Sequence, residues 1–403
     1  VALTALAGCG NAATQTPQKV TITFQHQFGD AESQKFAELV TRFQAANPNI
    51  EVKTIRDNDK GYYDKLVTTI LGGSAPDIAR VEPPKAAQYI AAGYAAPVDQ
   101  YVSSQDRQQF FPGTVQPLTK DGKLYGLPQD VAVLVLYYRT DMFQAAGISG
   151  PPQTWDELLT DAKLLTKAPD RYGIGLFGGW GAFEFYPWFW QAGGEMLKQQ
   201  GGKTVVAFNS PEGVAALQFW SDLENRYKVM PPGAATLAED DVKGPFIAGK
   251  LAMFTSGSWS SDSLKKAGID GKWAVAPLPK GQQAASVLGG MDLIMLAQSK
   301  HKAEAGRFLS WLMQDQVQSD WAKSLGFLPI KQSMYADSAF KNDPLMSAFQ
   351  TQLTVARSRP TIPQAGQIDD LFGKAVQAAV SGAATPKAAL DEAAQKANQA
   401  IAQ

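Results

Sequence analysis

Apolar residues recur along this chain in two rhythms. In KVTITFQHQF, Val20, Ile22 and Phe24 alternate with polar positions, the period of a strand. In the next segment Phe36, Leu39, Val40 and Phe43 fall three and four apart, the period of a helix with one buried face. Asp30 stands where a helix cap belongs, and ANPN ends the run. The alternation repeats. IEVKTI predicts a second strand and YYDKLVTTILGG a second helix. SAPDIARV, entered through a Pro-Asp turn, predicts a third strand, and KAAQYIAAG a third helix ending at Gly93. Strands alternating with helices imply a parallel sheet covered by helices, an α/β fold.

The rhythm then changes. An Asp-Gly turn and a short strand lead into Val131–Tyr138, an unbroken apolar run that predicts a fully buried strand. TWDELLTDAKLLTK predicts a helix with Thr154 as cap and Glu157 completing a capping box. SPEGVAALQFWSDL predicts another, with Ser210 at the cap and Pro211 in the first turn. WAVAPLP and DLIML are strands around a Gly-rich loop. AEAGRFLSWLMQDQVQSDWAKS predicts one long amphipathic helix, and TPKAALDEAAQKANQAIAQ a last helix of strong helix formers.

Length adds that 403 residues suit two domains rather than one core. Charge adds little: the net is −1 with no basic stripe, which argues against nucleic acid. Two histidines and one cysteine fall short of the four Cys/His ligands that a structural zinc site usually takes, and a single cysteine rules out a disulfide within the chain. No cofactor is called for. Nine Trp and twelve Tyr matter more, since aromatics with a polar edge suit wet binding surfaces. FIAGKLAMFTSGSW is the sharpest case. A short apolar strand, Leu251–Phe254, runs into Ser256-Gly257-Ser258 and then Trp259. Either Trp259 folds back into the core or it waits at a surface for something flat.

The N-terminus VALTALAGCGNAATQTPQ resembles the lipobox of bacterial lipoproteins. A short apolar run ends in Leu6-Ala7-Gly8 before Cys9, and a small polar tether reaches to Gln18. That resemblance implies lipidation at Cys9 and anchoring to the outer face of the cell membrane.

The mature chain resembles the extracytoplasmic solute-binding proteins of bacterial ABC importers, in the sugar-binding family that includes maltose-binding proteins. The marks come in order: ITFQHQFGDAESQKFAELVTRFQAANPNIEV, GGSAPDIARV, DGKLYGLPQDVAVLVLYYRTDMFQAAGI with PPQTWDEL, FIAGKLAMFTSGSW, APLPKG, GGMDLIM and ARSRPTIPQ. Arg139 departs from the Asn usual after the paired aromatics. The resemblance implies two α/β lobes joined by crossing strands, with the ligand in the cleft between them. It places residues 19–124 plus 277–315 in the first lobe and 125–276 plus 316–403 in the second. It also implies a monomer that delivers its ligand to permease subunits.

A sugar site needs aromatic faces for C–H groups and a rim of carboxylates, amides or guanidiniums for hydroxyls. In α/β lobes these belong on loops at strand C-termini. Gln27 and Asp30 follow the first strand, though Asp30 also reads as a plain cap. Glu82 follows the third strand, held before two prolines. Asp77 sits in the Pro-Asp turn, where the family often has a contact and where a turn-stabilising role is the alternative. Asp130 precedes the buried run and would be costly in a core without a partner. FGGWGAFEFYPWFWQAGGE, which the resemblance places in a sugar-contacting region, is dense in aromatics, some of them core and some not; Trp180 and Tyr186 are its candidate platforms. Gly289 and Gly290 permit close backbone approach, with Asp292 a weaker candidate. Arg357 and Arg359 point the same way on an extended segment. The resemblance places Trp259 at the cleft as a platform. The expected function is capture of a di- or oligosaccharide by lobe closure. The alternatives are a binder of a phosphorylated or anionic polyol, kept alive by the arginine pair, and a secreted glycosidase.

Overall fold

The computed structural model describes residues 19–58 and 61–402; Cys9 and the tether lie outside them. Its strands in chain order are β1 (Val20–His26), β2 (Ile50–Arg56), β3 (Ile78–Val81), β4 (Gly126–Ala132), β5 (Val135–Arg139), β6 (Tyr172–Gly175), β7 (Leu251–Ser256), β8 (Trp273–Ala276), β9 (Ser286–Met295) and β10 (Ala356–Ser358), together with two small hairpins. They build two main sheets, one per lobe, as the α/β two-lobed expectation requires.

In the first sheet β1 lies between β2 and β3, parallel to both. β9 then runs antiparallel to β3 and β4 and parallel to β10. The helix Asp30–Ala46 buries Phe36, Leu39, Val40 and Phe43, the stripe its spacing predicted. Its cap is Gly29 rather than Asp30. Glu32 reaches back to accept the Gly29 N–H at 2.8 Å, which leaves Asp30 free to pair with Arg56 at 2.7 Å.

The second sheet has the order β8-β5-β7-β6. Here the structure corrects the reading of Val131–Tyr138 as one strand. The apolar run serves both sheets: β4 ends in the first at Ala132, Val133 and Leu134 cross over, and β5 begins the second. It is apolar throughout because all of it but the half-buried Tyr138 passes between packed layers. The return crossing lies before β9. Ser286 joins the two crossings: Leu134 N–H donates to its Oγ at 3.2 Å, and the hydroxyl lies 3.1 Å from the Leu134 carbonyl.

Two further corrections concern the late chain. The expected long helix is broken into Lys302–Leu312 and Asp315–Leu325, where Gln314 turns extended and the Gln318 side chain donates to the Leu312 carbonyl. The second of these packs on the first lobe, not the second. Trp321 lies 5.4 Å from Phe28, ring centre to ring centre, and Ile330 still belongs to that core. The first lobe therefore continues past 315 to about residue 330. The C-terminal helices Ala365–Val380 and Pro386–Ala402 complete the second lobe's core around Trp188, Trp190, Trp220 and Phe372.

Candidate ligand-binding cleft

A cleft of about 780 Å³ lies between the lobes, a volume that suits a small-molecule site. Its floor is Asp130 of β4 with Gly290 and Met291 of β9. One wall comes from the first lobe: the start of the helix Asp30–Ala46, Arg80, Glu82, Leu325 and Phe327. The other carries Trp180, Phe183, Glu239, Lys243 and Trp259. Seven of the expected residues thus meet in one cavity: Asp30, Glu82, Asp130, Trp180, Trp259, Gly290 and Arg359.

Trp259 owes its position to its neighbours. A Cβ on Gly257 would stand 1.9 Å from the indole, so the ring lies directly on the glycine backbone. Its Nε1 donates to the two oxygens of Glu239 at 3.0 and 2.9 Å. The hydroxyls of Ser256 and Ser260 converge on the same carboxylate. The ring is half-buried and packs against the hydrophobic cores of both lobes. The alternatives of core and platform are therefore not exclusive: one edge is anchored and the ring still lines the cleft. Trp180 is 45% exposed, and its ring centre is 6.0 Å from that of Trp259 at 43°. Together the two indoles form a bent aromatic wall.

The cationic groups that line the cleft are already matched, on both walls. Arg80 stacks over Phe28 at 4.6 Å and donates to Gln129, Glu32 and Asp130 at 2.8, 3.2 and 3.3 Å. Arg359 donates to Glu82 at 3.4 Å and to Asp369 at 3.1 Å. Lys243 pairs with Asp240 at 2.8 Å. Asp130 Oδ1 also accepts the Met291 N–H at 3.0 Å. Burial outweighs the nearby Arg80 and pushes the Asp130 carboxyl up to about 6. Behind it Asp292 is buried with Oδ2 unpartnered. Burial, and then the Asp130 charge, hold its carboxyl well above the usual range.

The native Asp130 therefore binds a proton between about pH 4 and pH 6 where the unfolded chain does not. Its contribution to stability is lost as pH rises through that window, by about 3 kcal/mol at full effect. His26 has the opposite sign: burial lowers it to about 4, so its contribution is present above the unfolded value of 6.5 and is lost on acidification. Asp130→Asn removes the first, eases the repulsion on Asp292, and leaves His26 in place. The melting temperature of the variant minus that of the wild type is expected to rise between pH 4 and pH 7; a difference that stays flat would refute the assignment.

The other expected residues lie elsewhere. Tyr186 is no platform: its ring is fully buried, 4.8 Å from Trp190 and 5.3 Å from Phe372, and its hydroxyl donates to Asp369 at 2.8 Å. The helix here is Tyr186–Gln191, with every residue buried, so its aromatics are core. Asp77 is the turn-stabilising alternative, accepting from Thr23 N–H at 2.8 Å and Ser299 Oγ at 2.5 Å, and does not line the cleft. Arg357 forks onto Glu195 at 2.9 and 2.7 Å and lies over Trp190, outside the cleft. Gly289 is covered by Phe183, which a Cβ would strike at 2.6 Å; it lines a cavity of about 10 Å³ beside Asp292, room for one water. Gln27 is not among the lining residues. Gly290 does line the cleft, but its φ of +120° and the Asp130 carbonyl, 2.2 Å from where a Cβ would sit, tie its identity to the β4–β9 contact. Sequence reasoning missed Arg80 and Glu239. Arg80 had a signal, a charge inside the short buried strand DIARV. Glu239 had none, as the first of three acids opening a helix.

Known proteins carry the same architecture. The model of the bacterial extracellular solute-binding protein family matches residues 38–348. The chain belongs to that family. A putative binding protein of Brucella abortus is 30% identical over 90% of this chain and 89% of its own. A maltotriose-binding protein of Pyrococcus abyssi is 26% identical over 86% of this chain and 74% of its own. An sn-glycerol-3-phosphate-binding periplasmic protein of Salmonella paratyphi A is 25% identical over 94% of this chain and 92% of its own. A solute-binding protein of Thermotoga lettingae, solved with α-D-tagatose, superposes with a TM-score of 0.84 at 30% identity, covering 95% of this chain and all of that one. A maltose-bound protein of T. maritima gives 0.85 at 27% identity, covering 94% and 98%. The solute-binding chain is thus two-lobed in the manner of the maltose-binding proteins, and its relatives are binding proteins rather than enzymes.

Proposed function

We propose that this solute-binding protein captures a neutral di- or oligosaccharide outside the cytoplasmic membrane and hands it to the permease of an ABC importer. One observation carries the reading: an aromatic wall, Trp180 and Trp259, faces a polar wall whose charges are already paired within the chain. C–H faces of a pyranose pack on the indoles, and its hydroxyls bridge the carboxylates and guanidiniums. Closure of the lobes encloses the ligand, and the equilibrium moves only as far as the closed form binds better. The maltotriose-binding relative and the sugar-bound neighbours support the same reading. Cys9 fits a lipid anchor that keeps the monomeric protein near its permease.

The pairing also argues against an anionic polyol, despite the glycerol-phosphate-binding relative. Arg80, Arg359 and Lys243 each face a carboxylate of the chain itself, so a phosphate would have to displace one. A thermal-shift screen over sugars and sn-glycerol-3-phosphate tests this. A sugar at 100 times its dissociation constant is expected to add about 2.7 kcal/mol of stability, insensitive to salt. A shift from the phosphate alone, weakening with ionic strength, would sink the sugar reading, as would sustained turnover of any saccharide.

A further inference from the structure

A second concavity, about 790 Å³ and as large as the cleft, lies on the first lobe. Its floor is the exposed face of the helix Lys302–Leu312, where Ala303, Arg307 and Ser310 recur at helical spacing, about 10 Å along the axis. Trp311 stands on one side and Tyr101 on the other.

Both aromatic walls are fixed in place. Gly306 sits in mid-helix, where glycine costs about 1 kcal/mol relative to alanine. The reason is steric: a Cβ there would stand 2.3 Å from the Tyr101 ring. The Tyr101 turn is held in its own right, with Asp99 accepting the Leu124 N–H at 3.0 Å and pairing with Arg107 at 2.8 Å. Trp311 is wedged against Phe43 and Phe308, with Arg42 over its ring. A site whose walls need no ordering loses less on binding.

The polar lining differs in kind from that of the cleft. Among the described residues that line it, the polar ones are amides and hydroxyls with no carboxylate, and Arg307 is the one charged member. Among the described residues no carboxylate pairs with Arg307, whereas every cationic group lining the cleft has such a partner.

We propose that this groove is an accessory site for a short acidic saccharide, its C–H edge against the exposed parts of Trp311 and Tyr101 and its carboxylate on Arg307. Digalacturonate and the neutral galactose disaccharide are the probes, titrated calorimetrically into the full chain. The acidic disaccharide is expected to bind in about the millimolar range and equally well to Trp259→Ala, whose defect lies in the cleft. Arg307→Gln, an exposed substitution that leaves the core untouched, is expected to weaken it about tenfold, and Trp311→Ala to abolish it. The proposal is overturned if binding survives Arg307→Gln unchanged or disappears in Trp259→Ala. It is equally overturned if the neutral disaccharide binds as well, or if acetate at equal concentration displaces the probe.

Discussion

Trp259→Ala is expected to weaken saccharide binding by about a hundredfold while lowering stability by only about 1–2 kcal/mol. A tryptophan at the centre of a desolvated contact commonly carries more than about 2 kcal/mol of binding, and about 2.7 kcal/mol is a hundredfold. The small structural cost follows from what remains. Glu239 keeps the hydroxyls of Ser256 and Ser260, so no buried carboxylate is orphaned. The indole is already half-open to the cleft, so less apolar surface returns to water than for a core tryptophan. Gly257→Ala is the companion test. Its methyl would occupy the space of the indole and tip the ring off its seat with the tryptophan still present. Titration calorimetry and thermal melts on both variants read the two effects separately. Loss of folding in Trp259→Ala would show that the residue serves the core first.

Arg359→Ala is expected to be the most damaging single change to the fold among those considered, at about 3 kcal/mol. The guanidinium is buried between Glu82, at the end of β3, and Asp369, on the second lobe's helix Ala365–Val380. Asp369 in turn accepts the buried Tyr186 hydroxyl. Removing one partner of a buried ionic network leaves the others uncompensated, typically at about 3–5 kcal/mol. Glu82 is partly hydrated already, which places this case at the lower end. Arg359→Lys should recover little of the loss, because an ammonium cannot span both carboxylates in one plane. Urea unfolding would show it: an unchanged midpoint in the alanine variant would mean that the network contributes nothing to stability.

Legibility in the sequence followed the range of the interaction. Periodicity located β1, the helix after it and the capped helices beginning beside Thr154 and Ser210, because those signals are local. It joined β4 to β5, because a buried run carries no mark where the chain leaves one sheet for another. In the cleft, Trp259 and Asp130 stood out as residues of the wrong kind for their surroundings. Tyr186 misled for the converse reason: an aromatic segment looks alike whether it lines a cavity or fills a core, and only the Phe372 ring, far along the chain, decides. Glu239 could not be found, since its partner lies 20 residues away and is fixed by tertiary contact.

The Ser286 hydroxyl has a consequence for how the molecule works. It holds the N–H and the C=O of Leu134 together, so the two crossing strands cannot slip lengthwise past each other without breaking both bonds at once. Sliding of the lobes is thereby made costly, while twisting about that point is not. If the lobes close as proposed, the linkage would act as a torsion pin: the arms would turn about a fixed fulcrum, and a small rotation there would become a large displacement at the cleft's outer lips. A membrane partner touching those lips would sense, through leverage alone, whether the cleft is filled.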